Sequence, residues 1–489
     1  MPLKPIVLIG EQKRVLFLPV TEAIQIKGVA GSGKTTVALY RAKHLLDTQS
    51  NLFEEARVAL FTFNKSLVKY IKAIVPHISG GYQKDSDEIK PLKAKGLNIN
   101  VTNFDKWAYD FIEINGINLN GKILEPKAQK NLINSAIKNL GLQTSKLSNK
   151  QDFLLEEIGW IKGKLLLDKE NYFNAKRIGR GTVDRVTKND KDIIWDIFNE
   201  YERLRLSFKT YDFSDFAILS LKIIDSKTTF NPPFTHLIID EAQDLSKAEM
   251  LVLSKIVSRT TKSISIIADA AQRIYKSGFS WSEVGINVIG GRTSTFKKNY
   301  RNTEAIIKAA MSLLEKEPDK SDFTPIEPAR KGGIKPLVGY FLNWNEQCDF
   351  LLKQLINLKM NEQINSTVIL HRNHGGIKNI KRFLESNKFD VQELLNINDI
   401  DFNSDSLKIC TLSSVKGLEF ENVFIIDLNN DVIPYPEGFN DTEDEFHIST
   451  ERRLLYTSMT RARERLYLLS SGNPSRYLSE IDGALLEKV

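Results

Sequence analysis

Cysteine is nearly absent: Cys348 and Cys410 are the only two in 489 residues. Two thiols so far apart can build neither a disulfide framework nor a cysteine-ligated zinc site, which points to a reducing compartment. Long apolar runs are missing as well. None approaches the ~20 residues that span a bilayer, and the apolar stretch in MPLKPIVLIG is too short for a signal-peptide core. A cytoplasmic chain without membrane contact is therefore expected. No repeat of solenoid period occurs. Neither sign of charge dominates: 68 Lys plus Arg against 61 Asp plus Glu leave +7. That excess permits a nucleic-acid partner without establishing one. A composition 42% apolar and 26% charged excludes wholesale disorder, and at ~150 residues per domain the length suggests about three domains.

What is present is a series of short, β-branched, nearly continuous apolar runs with helical stretches between them. AIQIKG (23–28), RVALFTF (57–63), THLIIDE (235–241), SISIIAD (263–269), STVILHR (366–372) and NVFIIDL (422–428) read as strands buried on both faces of a parallel sheet. TVALYRAKHLL (36–46) and NIKRFLESN (379–387) read as amphipathic helices packed on such sheets. Alternation on this scale predicts an α/β, doubly wound architecture. From about Tyr109 to Tyr201 the period is helical instead, which predicts a helical insertion in the first α/β domain. The proline-bearing stretch 315–336 is expected to be a loop or linker, and the polar stretch 80–96 a surface excursion.

Residues 28–36, GVAGSGKTT, fit G-x-x-x-x-G-K-[ST] between a strand pattern and a helix pattern. Gly28, Gly31 and Gly33 let the backbone bend so that its N–H groups face phosphates at a helix N-terminus. Ser32 and Thr36 complete the loop, Lys34 is placed to bind the β- and γ-phosphates, and Thr35 to ligate Mg²⁺. After the strand THLII comes Asp240-Glu241-Ala242-Gln243-Asp244. A carboxylate at a strand's C-terminal end is where a P-loop enzyme holds Mg²⁺, so Asp240 takes that role. Glu241 is placed to accept a proton from an attacking water. A kinase that passes phosphate to a substrate does not need that second carboxylate, so nucleotide hydrolysis is expected, with ATP as substrate and Mg²⁺ as cofactor.

With these motifs in order, the chain resembles superfamily 1 helicases of the UvrD/Rep/PcrA type. TLSSVKGLEFENVFI (411–425) and ERRLLYTSMTRARERL (451–466) carry the resemblance most distinctively. FTFNKSL (61–67) and VTNFDKWAYDF (101–111) resemble the family's two DNA-strand motifs of the first domain. The resemblance implies two RecA-like parallel-sheet domains of P-loop NTPase type, the first carrying a helical insertion. It divides the chain into a first RecA-like part (1–108), the insertion (109–205), a second part of the first domain (206–297) and a second domain (298–489). It implies that Gln12 reads adenine, that Gln272 couples the γ-phosphate to DNA, and that Tyr300 packs on the base. Arg301 and Arg461 would be arginine fingers supplied by the second half, and Glu419 would sit near the ribose.

This chain departs from the pattern at Ser413, where the family usually has histidine, and after Tyr275, where only Phe279 and Trp281 offer aromatic faces for bases. The stretch between Arg301 and Thr411 is too short for the family's second accessory domain, which is expected to be absent or reduced to a loop near 388–406. His371 and His374 are read as loop residues rather than metal ligands. The resemblance implies an ATP-dependent translocase or helicase moving 3′ to 5′ on single-stranded or partly duplex DNA. The short form also fits another class, a DNA-sensing NTPase that controls a partner nuclease, as in two-component anti-phage systems of the Gabija type.

Overall fold

The computed structural model describes residues 8–49, 56–62, 68, 82–85, 88–91, 99–175, 186–269, 279–318, 320, 323–394, 404–435 and 445–489. The first sheet is built from β1 (Ala23–Gly28), β2 (Val58–Phe61), β5 (Ile99–Thr102), β6 (His236–Ile239), β7 (Ser263–Ala268) and β8 (Thr293–Phe296). Its order is β5-β2-β6-β7-β1-β8 and every pairing is parallel. VALF, HLII and SISIIA are buried at every position, as strands covered on both faces must be. The helix Lys34–Gln49 covers one face through Val37, Ala38, Ala42 and Leu45. The helices Phe104–Ile114, Asp215–Ser226 and Lys247–Lys255 cover the other through Phe104, Ala108, Phe216, Leu221 and Val252.

The second sheet has seven parallel strands in the order β13-β14-β12-β15-β16-β11-β17. These are β11 (Leu337–Tyr340), β12 (Thr367–His371), β13 (Val391–Glu393), β14 (Leu407–Thr411), β15 (Phe420–Ile425), β16 (Ala462–Ser470) and β17 (Glu487–Lys488). Leu351, Leu355, Ile377, Ile380 and Leu384 from the helices Trp344–Met360 and His374–Ser386 pack on one face. Ile306, Ala310, Leu454, Leu455 and Met459 from the helices Glu304–Leu313 and Glu445–Met459 pack on the other. Two large parallel sheets in two domains make this a RecA-like α/β fold. Among the described residues no helix is long and apolar enough to cross a membrane.

Between β5 and β6 the helices Pro126–Asn139, Gln151–Gly163, Lys169–Asn174 and Lys188–Ser207 enclose a separate core of Ile133, Leu154, Ile158, Trp195, Phe198 and Tyr201. The longest begins where Thr187 and Asp190 satisfy each other's backbone N–H groups. At the root of this bundle the Lys162 ammonium lies 2.6 Å from Asp212, 2.8 Å from Asp215 and 2.6 Å from Glu202. Arg205 adds a contact of 3.1 Å to Asp215. A buried group of three carboxylates resembles a cation site, but here the chain supplies its own cations. Breaking one such buried pair costs about 3–5 kcal/mol because the partner charge stays behind.

Three stretches read as loops hold short strands. Within 80–96, β3 (Tyr82–Asp85) and β4 (Glu88–Pro91) form an antiparallel hairpin. Within 315–336, β10 (Glu327–Arg330) pairs in parallel with β9 (Lys298–Thr303). Its sequence, EPAR, has no apolar run; the pairing with β9 makes it a strand, and it stays half-exposed. Within 388–406, β13 adds an edge to β14, and residues 395–403 lie outside the described set.

Candidate active site

The loop after β1 lies at the C-terminal edge of the first sheet, with Gly31 at φ +68° and Gly33 at φ +79°. Glycine is required there by space as well as by φ. A Cβ on Gly33 would stand 2.4 Å from Gln12 Nε2, and one on Gly31 2.8 Å or less from the Asn299 amide. Lys34 is buried and folded back on the loop. Its Nζ donates to the carbonyls of Gly28 and Val29, both at 3.2 Å, and to Asp269 Oδ2 at 3.0 Å. Thr35 Oγ1 donates to Asp240 Oδ2 at 2.9 Å. Gln12 Nε2 donates to the Ser32 carbonyl at 2.8 Å, while its Oε1 accepts from the Ile9 N–H at 3.0 Å. The loop, the glutamine and the two acidic residues after β6 therefore meet in one place. Thr36 stands in the first turn of the helix that follows.

Glu241 occupies a left-handed backbone corner at φ +56°, a conformation costing about 1 kcal/mol or more in a non-glycine residue. Its carboxylate accepts from Gln243 Nε2. Gln243 Oε1 in turn accepts the Asp269 N–H at 3.1 Å. Burial raises the Asp240 carboxyl well above the ordinary range, and the neighbouring Glu241 charge adds to the rise. Burial works the same way on Glu241, but the cations Lys416, Lys34 and Arg461 outweigh it and hold that carboxyl low. The pair thus divides: burial pushes one carboxyl up, while the surrounding cations hold the other down.

The second domain reaches this place from the opposite side. The Asn299 amide donates to the Ala30 carbonyl at 2.8 Å and the Tyr300 N–H to the Gly31 carbonyl at 2.9 Å. Arg301 Nε lies 2.7 Å from Glu419 Oε2, and Arg463 Nη1 3.2 Å from Glu419 Oε1. Burial would raise the Glu419 carboxyl, yet Arg301 and Arg463 hold it down. Arg461 is buried and bound by its own domain through the carbonyls of Thr457 at 2.9 Å and Leu418 at 3.4 Å. Burial, with the Arg301 charge, pulls its guanidinium down to about 9, so it remains a cation at neutral pH.

Gln272 lies outside the described residues. Phe279 and Trp281 pack edge to face at 5.6 Å on the core of the first domain, partly exposed. Ser413 is exposed just past β14. His371 is no loop residue: it ends β12, is buried, and lies 3.3 Å from Asp427. Among the described residues no third metal-ligating side chain joins it. Sequence reasoning missed Asp269, Gln243, Asn299 and Lys416. Asp269 left a signal, being the first charged residue after the buried strand SISIIA.

The donor set suits a nucleotide with a divalent cation. Thr35 and Asp240 offer hard oxygens of the kind Mg²⁺ prefers. The Ser32 and Tyr300 hydroxyl oxygens are buried without a hydrogen-bond partner among the described residues, so the cradle has polar atoms to spare.

A glycine-rich loop under two RecA-like domains defines a P-loop nucleotide-binding protein. The chain belongs to the UvrD/Rep helicase family, of superfamily 1A: the UvrD/REP helicase N-terminal domain matches residues 9–284, and the UvrD-like helicase C-terminal domain matches 294–396 and 392–473. The ATP-dependent DNA helicase PcrA of Staphylococcus epidermidis is 22% identical over 372 residues, 73% of this chain and 47% of that protein. A probable DNA helicase II homolog of Mycoplasma capricolum is 23% identical over 327 residues, 63% of this chain and 41% of that protein. The chain spans about half the length of the curated relatives it matches. Among solved structures, the C-terminal domain of a possible DNA helicase from Lactobacillus plantarum is 21% identical, with a TM-score of 0.30, covering 39% of this chain and 98% of that one.

Proposed function

We propose that the chain is an ATP-driven translocase or helicase on single-stranded DNA, moving 3′ to 5′. The observation that carries this reading is the convergence of Arg461 and Lys416 of one α/β domain on the acidic pair of the other, with Asn299 and Tyr300 of the same domain bonded to the loop. Nucleotide held between two domains links hydrolysis to their relative movement. The functional division is 1–108 with 206–297 as the first domain, 109–205 as its insertion and 298–489 as the second. The buried thiols Cys348 and Cys410 suit a reducing cytoplasm.

In this mechanism Lys34 leaves Asp269 and the loop carbonyls to meet the β- and γ-phosphates, and the N–H groups of the loop face the same oxygens. Thr35 and Asp240 would hold Mg²⁺, which when bound would offset the phosphate charge. Glu241 accepts the proton of the water that attacks the γ-phosphorus, and Gln243 fixes the orientation of its carboxylate. Arg301 and Arg461 neutralise charge on the transferring group. Tyr300 and Gln12 bracket the base, and Glu419 exchanges its arginine partner for the ribose. Gln272 links the γ-phosphate to the strand.

ATPase activity measured with single-stranded DNA, duplex DNA, RNA and no nucleic acid tests the reading. Single-stranded DNA is expected to stimulate turnover most, with binding that weakens steeply as salt rises because phosphate contacts release counterions. Hydrolysis indifferent to nucleic acid overturns it. Unwinding in single turnover, with and without a nuclease partner, separates a helicase from a DNA-sensing subunit of an anti-phage nuclease. The short form is expected to unwind long duplexes poorly by itself.

A further inference from the structure

Lys416 belongs to the second domain, yet its ammonium is buried in the first. It donates to Asp244 Oδ2 and lies 3.7 Å from Glu241 Oε2. The lysine stands in a stiff turn between β14 and β15. Leu412, Val415 and Leu418 are buried on its own domain's core. The Val415 N–H bonds the Thr411 carbonyl at 3.2 Å and the Leu418 N–H the Val415 carbonyl at 3.1 Å. Gly417 adopts φ +87° directly after it. A side chain presented by so fixed a turn goes where the domain goes.

Its target is equally fixed. Asp240, Glu241 and Asp244 place three buried carboxylates within five residues. Glu241 is steadied from within the first domain by Gln243 alone among the hydrogen bonds described above. Gln243 is steadied by the Asp269 N–H, and Asp269 by Lys34. A continuous chain of contacts therefore runs from the phosphate-binding lysine, through Asp269 and Gln243, to Glu241, and from there across the domain boundary to Lys416. We infer that Lys416 is a positioning residue that makes the alignment of Glu241 depend on where the second domain sits. Strand binding that shifts the second domain would then be felt at the water-activating carboxylate without any contact between strand and nucleotide. The inference deepens the proposed hydrolytic reading and rests on it.

The test uses the full chain with Lys416→Met. Turnover stimulated by single-stranded DNA is expected to fall about tenfold or more, while KM for ATP and the affinity for a non-hydrolysable ATP analogue stay within about twofold. Lys416→Arg should recover most of the loss, and Lys416→Met combined with Asp244→Asn should be no worse than the poorer single variant, as members of one contact behave. Wild-type stimulated turnover in Lys416→Met, a raised KM with unchanged kcat, or additive losses in the double variant would each overturn the inference. If Lys416→Met does not fold, Lys416→Gln, which removes the charge and keeps a polar end, carries the same comparison. A stimulated wild type beside an unaffected Lys416 variant defeats this inference alone; a wild type that no strand stimulates defeats the hydrolytic reading and this inference together.

Discussion

Strands β1, β2, β5, β6, β7 and β8 of the first domain and β11, β12, β14, β15, β16 and β17 of the second run through their sheets in the same spatial order. By that correspondence Glu241, two residues past β6, matches Asp427, two residues past β15. Both are carboxylates in left-handed corners, at φ +56° and +52°. Their surroundings differ. Glu241 faces cations from both domains, whereas Asp427 is consumed within its own by Gln347 Nε2 at 2.9 Å, by Ser471 Oγ and by His371. After β1 the chain makes a glycine loop; after β11 it makes a helix capped by Asn343, whose side chain accepts from the Glu346 N–H. The winding provides two equivalent corners, and the neighbouring charges set them apart: one is held by cations of both domains, the other by partners of its own.

Substitutions break that comparison in a definite order. Arg301→Ala and Arg461→Ala should each cut DNA-stimulated turnover by about 10³-fold or more, the scale of a lost arginine finger. Near-normal stimulated ATPase in both would mean that the second domain does not serve the nucleotide. Glu241→Gln should lower turnover by on the order of 10³-fold while ATP binding persists, since only the base is lost; Lys34→Ala should weaken nucleotide binding too. Fluorescent-nucleotide titration beside steady-state kinetics distinguishes the two.

The matching change in the second domain should act on stability instead. Asp427→Asn is expected to cost about 1–3 kcal/mol in denaturant unfolding by leaving buried donors poorly paired, with turnover per folded molecule little changed. Although burial opposes it, hydrogen bonds from His371 and Ser471 hold the Asp427 carboxyl below its ordinary value. Its contribution is thus complete above the unfolded carboxyl's pKa of ~3.9 and is lost as pH falls through the lower folded value. Asp427→Asn should remove that part of the acid sensitivity. On the same scale, and with turnover likewise spared, Gly376→Ala should lower stability by about 2 kcal/mol, because its Cβ would meet the His371 ring at 2.0–2.2 Å. A turnover loss as deep as that of Glu241→Gln in either variant would make the second corner functional after all.

The strands, the phosphate loop and Asp240-Glu241 were legible because each is written locally, as an apolar run, a spacing of glycines or a polar residue at a strand's end. Lys416 was not, because its partner Asp244 lies 172 positions away and no local pattern marks a lysine that will cross between domains. Asn299 escaped for the same reason, its partner Ala30 lying 269 positions away. β10 escaped because EPAR is a strand only by virtue of β9. The ion cluster of Lys162, Arg205 and three carboxylates reads in sequence as ordinary surface charge; only the packing of three helices buries it. Arg301 and Arg461 were expected as fingers. That Arg301 rests on Glu419 follows from a pairing across 118 positions.

Asn299 is bonded to the phosphate loop through the Ala30 carbonyl and to Asn302 Oδ1, both at 2.8 Å, and Asn302 Nδ2 donates to the Thr460 carbonyl at 3.0 Å and to that of Ala462. A continuous link between the two halves thereby lies against the phosphate loop itself. In any rotation about such a link displacement grows with distance from it, so groups beside the loop would shift least for a given angle. Under the proposed hydrolytic cycle, a small adjustment beside the phosphates would become a larger displacement at the rim, with no need for the loop itself to open wide.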